Sequence, residues 1–474
     1  MKRKTNQTLL SAILIMAFLL LASCAPKATP TQVPPTEIPP TEAQPTQPPA
    51  EKPTTVVTEA PTGAPPPAEK VKIVFWSHDF PPREKLDRQY MDKFKQDNPN
   101  VEIEYVLGPG DDIQYLTKLT TALAGGEGPD CFNLLSMSAG RLLETNSVAP
   151  LDLGALGFSS VEEVEKLYVP GTLSGLMKDG KLYALPSEVS NYALFVNTKA
   201  FQDAGLDPDK DYPKTWDELI PLAQKMNKVE NGKLVFRAFD FTYGGADDVT
   251  SGPFTLAGMA YQLGGTVLNE DGTESTVNTE PWVRSLQFIQ DWVYKEKLGD
   301  PTLTVAFIGF YEGSVGMVFS GSWYIPYIKD QGSPVYETFT VKPSPRWKDA
   351  INNTGSVLYA YGLFVNANTT PEKQQICTKL IKELSSHPEE YLSEAGLLQP
   401  TIALTESETF KNTPHLDVFL KDMEGTPYWP THPKSFEIHD VLLRALQRVV
   451  TDQQPVQEAL DQAKQEMDEV LKSQ

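Results

Sequence analysis

The chain has 474 residues, 40% of them hydrophobic, enough for two ordinary domains with cores of their own. A formal charge of -21 leaves no broad basic surface to offset phosphate repulsion, which argues against nucleic acid as a partner. No chain-spanning repeat is present, so solenoids and propellers are set aside.

Lys2, Arg3 and Lys4 precede an apolar run from Leu9 to Ala22, too short for a comfortable bilayer span, and together they read as a secretory leader. The run ends in Leu21-Ala-Ser-Cys24, which resembles the bacterial lipobox. That resemblance implies a leader over residues 1–24 and a lipid on Cys24, the first residue of the mature chain. Residues 25–70 are rich in Pro, Thr, Glu and Gln and cannot recover their ordering entropy by burial. They are expected to be a disordered tether, reaching on the order of 140 Å at about 3.1 Å per residue.

At Val71 the pattern changes. Val71-Lys-Ile-Val-Phe-Trp76 predicts a buried strand; Leu86, Tyr90 and Phe94 predict a helix that stops at Asn98-Pro99; Val101, Ile103 and Tyr105 alternate as a second strand. Ile113, Leu116, Leu119 and Leu123 form the next helical face, and Gly125 to Pro129 breaks it before an apolar strand from Cys131 to Leu135. Strand, helix, strand, helix, strand at this spacing predicts a parallel sheet with helices on its faces. A second series follows. Tyr192 to Val196 is a short strand, Thr215-Trp-Asp-Glu218 is a capping box, and Trp282, Leu286, Ile289 and Val293 mark a helix. Val315 to Phe319 and Tyr359 to Val365 read as strands, and helices are expected over 438–449 and 455–471.

Ligands of open parallel sheets bind beyond the carboxyl ends of the strands. The first strand delivers Trp76, Ser77, His78 and Asp79 to that edge, and the third delivers Ser136, Met137 and Ser138. Short polar groups of this kind suit an uncharged polar ligand, although Asp and Ser also initiate turns. Sugars add an apolar ring face, so their sites pair such groups with aromatic plates. Trp323 follows Ser320-Gly-Ser322 and Trp429 lies in the Pro-rich Tyr428-Trp-Pro430, both outside helical periodicity, unlike Trp282 and Trp292. Ser190, Tyr243 and Tyr361 complete the candidate contacts from this reading.

Catalytic motifs are missing from the sequence: no zinc-protease helix, nucleophile elbow or P-loop, and the five histidines lack metal spacing. No cofactor or metal is expected, and the chain reads as a binding protein and not an enzyme. A glycosidase carboxylate pair stays open at this stage, as does a ligand-presenting role for a sensor kinase. Cys131 and Cys377 sit in apolar runs and read as buried, unpaired thiols, with a disulfide as the alternative.

Several short segments, in order, resemble the extracellular solute-binding protein family of bacterial ABC importers in its sugar-binding branch. They include Gly128-Pro-Asp130, Asp179-Gly-Lys-Leu-Tyr-Ala-Leu-Pro186, Pro213-Lys-Thr-Trp-Asp-Glu-Leu219, Gly313 to Trp323 and Glu394-Ala-Gly-Leu-Leu-Gln-Pro400. The resemblance implies a periplasmic-binding-protein-like α/β fold: two lobes with central sheets, closing like a flytrap about a hinge crossed more than once. Crossings are expected near 186–189, 340–343 and 398–402, giving one lobe of 71–186 with 343–400 and another of 187–342 with 401–474. It further implies a small-molecule ligand, an ABC permease as partner, a monomer, and a location outside the cytoplasm. Trp323 falls at the family's sugar-stacking tryptophan, Trp429 at a ligand-facing position, and His439 where another stacking tryptophan is expected, a departure that argues against maltodextrins specifically.

Overall fold

The computed structural model describes residues 70–110, 112–243, 251–423, 425–430 and 432–473. The leader, Cys24 and all but the last residue of the expected tether lie outside them. The first sheet is built from β1 (Val71–His78), β2 (Val101–Gly108), β3 (Cys131–Leu135), β4 (Val148–Ala149), β5 (Ala184–Ser190) and a late strand, β11 (Tyr359–Asn366). Their order is β2-β1-β3-β11-β4, with β5 also paired to β11. β1 runs parallel to β2 from Val71↔Val101 to His78↔Gly108 and parallel to β3, as the spacing predicts. β11 is antiparallel to both β3 and β5, a mixed pairing inside the sheet that periodicity alone does not reveal.

The second sheet takes β6 (Ala193–Asn197), β7 (Lys228–Glu230), β8 (Lys233–Phe239), β9 (Val315–Ser320) and β10 (Phe339–Lys342), in the order β10-β6-β9-β8-β7. Here β8 and β9 are parallel, while β6 is antiparallel to β9 and to β10. The fold is therefore two α/β lobes. The chain leaves the first sheet at Ser190 and enters the second at Ala193, and it returns between Lys342 and Tyr359. Val189 N–H donates to the Leu398 carbonyl at 2.8 Å and Ile402 N–H to that of Leu167 at 2.9 Å, so residues 398–402 lie against first-lobe backbone.

Helices cover both sheets. On one face of the first, α1 (Pro81–Asp97), α8 (Pro371–Leu384) and α9 (Pro388–Ala395) enclose a core of Ile73, Phe75, Leu86, Tyr90 and Leu380; on the other, α2 (Asp112–Gly125) buries Tyr115, Leu119 and Leu123. The start of α1 has Pro81 and Pro82 in its first turn, where a missing N–H costs nothing. In the second lobe α3 (Trp216–Met226), α4 (Ser251–Gln262), α5 (Glu280–Tyr294), α11 (Ser435–Val450) and α12 (Val456–Lys472) share the largest core, in which Trp216, Trp282 and Trp292 are buried. α6 (Ala306–Glu312), α7 (Tyr324–Asp330) and α10 (Leu416–Met423) cover the opposite face around Phe195 and Phe310. The capping box of α3 forms with one change: Thr215 accepts from Glu218 N–H at 3.4 Å, but the Glu218 carboxylate accepts from Lys214 N–H at 2.8 Å. Cys131 and Cys377 are both buried and free, and burial pushes the Cys131 thiol well up.

Candidate functional site

The exits of β1 and β3 carry the polar candidates of the first lobe, and one of them, His78, is tied into a buried network with residues around it. His78 Nδ1 lies 3.1 Å from Asn133 Oδ1, Asn133 Nδ2 donates to Ser187 Oγ at 2.9 Å, and Ser187 Oγ donates to the Tyr361 carbonyl at 3.3 Å. Arg83, buried in the first turn of α1, donates from Nη2 to the His78 carbonyl at 2.7 Å, and its Nε lies 3.8 Å from Asp87 Oδ2. Asp87 also accepts from Tyr391 at 2.6 Å and from Tyr105 at 2.9 Å. Burial holds the His78 imidazole well below its ordinary pKa, helped by the Arg83 charge, so it stays neutral. Burial pushes the Asp87 carboxyl up, against the pull of Arg83 and the two tyrosines. Ser77 is fully buried and Asp79 is exposed beyond the strand end.

Facing this edge is a run of aromatic rings. Trp323, at the start of α7 after the β9 exit, is half-buried. Its Nε1 donates to Tyr359 Oη at 2.7 Å, and the Phe80 ring stands edge-on to it at 6.3 Å. Tyr359 stacks with Phe254 of α4 at 5.7 Å and meets Tyr192 edge-on, also at 5.7 Å. Phe254 lies 5.2 Å from Trp429 and 5.6 Å from His439, which are 5.4 Å from each other. In the other direction Tyr361 sits 6.5 Å from Tyr359 and 4.6 Å from His78. Ser190 is the strand partner of Tyr359, and a Cβ on Gly321 would fall 2.8 Å from Ser190 Oγ, so glycine is what lets the β9 exit approach the hinge.

The structure thus brings together Trp323, Trp429, His78, Ser190, Tyr361 and His439 and adds Tyr359, Phe254 and Tyr192, which sequence reasoning missed. Ser136 and Met137 join them at a cavity of about 20 Å³ bounded by Tyr359 and Trp429, room for about one water. Tyr243 does not join: its hydroxyl donates to buried Asp240 inside the second-lobe core. Burial and the Asp240 charge hold that phenol well above its ordinary pKa. Asp79 stands outside the ring cluster, and Trp429 and His439 are 3% and 0% exposed, walls and not projecting plates.

Among the described residues the two lobes touch at Gly140 and at Ser322. A Cβ on Gly140 would meet the His432 carbonyl at 2.7 Å, and Ser322 Oγ donates to the Gly396 carbonyl at 2.6 Å. Among the described residues no group of three His, Cys, Asp or Glu side chains could hold a metal ion.

Comparison with known proteins gives a consistent result. The family model for bacterial extracellular solute-binding proteins matches residues 81–390. The arabinooligosaccharide-binding protein of Bacillus subtilis is 26% identical over 56% of this chain and 57% of its own length. The maltotriose-binding protein of Pyrococcus abyssi is 20% identical over 80% of this chain and 78% of its own. An ABC transporter solute-binding protein of Thermotoga lettingae, solved with α-D-tagatose, superposes with a TM-score of 0.73 at 19% identity, covering 84% of this chain and 99% of that one.

Proposed function

The chain belongs to the bacterial extracellular solute-binding protein family, and from that premise we propose that it captures a saccharide between its lobes and delivers it to an ABC permease. The observation that carries the saccharide is the ring run from His78 to Trp429, centred on a half-exposed indole whose N–H is already tied to Tyr359. An indole fixed in that way offers a rigid face for sugar C–H groups, while Ser136 and Ser190 nearby offer hydroxyls. The two oligosaccharide-binding relatives point the same way.

Closure is the mechanism this reading needs. The lobes meet at Gly140 and at Ser322, so a ligand enters an opened form and shifts the equilibrium back by binding groups on both sides. Lobe boundaries that follow the sheets, with passages at Asn191-Tyr192 and between Lys342 and Tyr359, fit a hinge of this kind. A lipid on Cys24, a tether over 25–70 and a monomeric chain complete the proposal: the domain would be held at the outer membrane face with no catalytic role. A thermal-shift screen of the protein against mono- and oligosaccharides tests it, because a ligand at 100 times its Kd adds about 2.7 kcal/mol of stability. A rise in melting temperature with at least one saccharide is expected. A flat response to all of them, with a rise for another solute, removes the sugar.

A further inference from the structure

Two thiols share the core of the first lobe. Cys131 opens β3 and Cys377 lies in α8, far away in sequence, yet both are fully buried in one apolar cluster with Phe75, Val365 and Leu380. An ion pair beside them fixes how the two elements meet. Lys373 Nζ donates to both carboxylate oxygens of Asp130 at 3.1 Å, and the Thr369 hydroxyl donates to Asp130 as well. Asp130 directly precedes Cys131, and Lys373 stands one helical turn before Cys377 on the same face of α8. The turn of helix that holds the lysine against Asp130 therefore sets Cys377 against the start of β3. The thiols are in hydrogen-bonding contact: burial, then the bond with Cys377, pushes the Cys131 thiol well up.

The pair stands apart from the cleft, since β3 runs from Cys131 to Leu135 and only its far end hands on to Ser136. The chain belongs to an extracellular family, and outside the cytoplasm disulfides form and persist. We propose that Cys131 and Cys377 close into a disulfide that ties α8 to the start of β3 and stabilises the first lobe. The reaction is thiol–disulfide exchange with an oxidant that is itself a disulfide. One cysteine thiolate attacks a sulfur of the oxidant and releases one thiol; the second thiolate then attacks the mixed disulfide and releases the other. One S–S bond forms as one breaks, and the oxidant's two sulfurs leave with the electron pair and the two protons. In the folded dithiol form a buried, protonated Cys131 is a poor nucleophile out of reach of any oxidant, so the exchange belongs to folding, before the core closes. A crosslink between residues so far apart in sequence restricts the unfolded chain, and that restriction is the source of its stabilisation.

Refolding the full-length protein from guanidinium in a mixture of reduced and oxidised glutathione tests this. Free thiols are then blocked with N-ethylmaleimide under denaturing conditions, and peptides are mapped by mass spectrometry without reduction. The peptides holding Cys131 and Cys377 should appear joined and unblocked, and should separate only when a reductant is added. The oxidised protein should also melt about 4 °C or more above protein refolded with dithiothreitol, and that gap should vanish in Cys131→Ala and in Cys377→Ala. Each variant is compared with itself in the two buffers, and either one suffices should the other fail to fold. Cys131 and Cys377 both blocked, or either joined to Cys24 or to glutathione, overturns the pairing. A joined peptide with equal melting in the two buffers overturns the stabilising crosslink, and a gap that persists in a variant traces to another thiol and does the same.

Discussion

The two edges that face each other across the lobe boundary spend their side chains differently. At the first-lobe edge, His78, Asn133, Ser187, Arg83 and Asp87 are buried and bond to one another. At the second-lobe edge Trp323 is half exposed, with one N–H satisfied and a ring to offer. Both sets sit at strand exits. Position at a sheet edge is therefore not enough to make a ligand contact; a side chain must also have surface and bonding capacity left after its neighbours are satisfied. On that criterion the first-lobe network holds the edge in shape, and the aromatic residues are those we propose for recognition.

The largest expected effect tests the structural half of this comparison. Arg83→Met removes the guanidinium beside Asp87 and the donor to the His78 carbonyl, leaving a buried carboxylate with only its two tyrosine donors. Breaking a buried pair in this way costs about 3–5 kcal/mol. Denaturant melts should show a loss in that range. A loss under about 1 kcal/mol would mean that water or a protonated Asp87 replaces the pair readily, and the network would not be what stiffens this edge.

A smaller change should separate recognition from packing. Trp323→Ala is expected to weaken saccharide binding at least about tenfold, roughly 1.4 kcal/mol, with little loss of stability in the ligand-free protein. Trp429→Ala should do the reverse and cost about 3–5 kcal/mol of stability, because that ring is 3% exposed and wedged against Phe254 and His439. Calorimetry and melts on the same two variants check both. If Trp323→Ala unfolds easily, the indole belongs with the core and the contrast between the edges collapses.

How far this could be read without coordinates differs by level. The strands and helices were legible because burial imposes periods of two and 3.6 on the apolar residues, and β1, β3, β9 and α11 fall where those periods place them. The place of Trp323 just beyond a strand end was legible because small residues precede it. Tyr359 and Phe254 were not, since one begins an apolar strand and the other lies in a helix buried along its length, contexts that read as core. The pairing of Tyr359 with Tyr361, two residues apart on one face of β11, was the available signal. The burial of Tyr243 was hidden for a related reason: nothing in a tyrosine three residues after Asp240 reveals that the two are buried together. The internal satisfaction of His78 was equally hidden, because its partner Asn133 is 55 residues away.

The subtlest effect is a pH dependence, and its sign follows from His78. The ring is buried among Arg83, Asn133, Tyr115 and Tyr361, and burial, followed by the Arg83 charge, depresses its pKa in the folded protein. In the unfolded chain the same imidazole titrates near about 6.5. Below that pH the unfolded state binds a proton that the folded state refuses, so stability is present in full above about 6.5 and falls as pH drops toward the folded pKa. One such group contributes a slope of up to about 1.4 kcal/mol per pH unit. Asp87 acts in the opposite sense, since its raised pKa means the folded state keeps a proton longer, so the total slope alone does not report on His78. The informative quantity is the difference between the parent and His78→Gln, which retains a hydrogen-bonding side chain and cannot titrate. Melts at pH 7 and pH 5 should show the parent losing more stability over this interval than the variant. Equal losses would mean that the ring takes up a proton in place, with a carboxylate or water close enough to accept it. The first-lobe edge would then have bonding capacity to spare after all, and His78 would rejoin Trp323 among the groups available to a ligand.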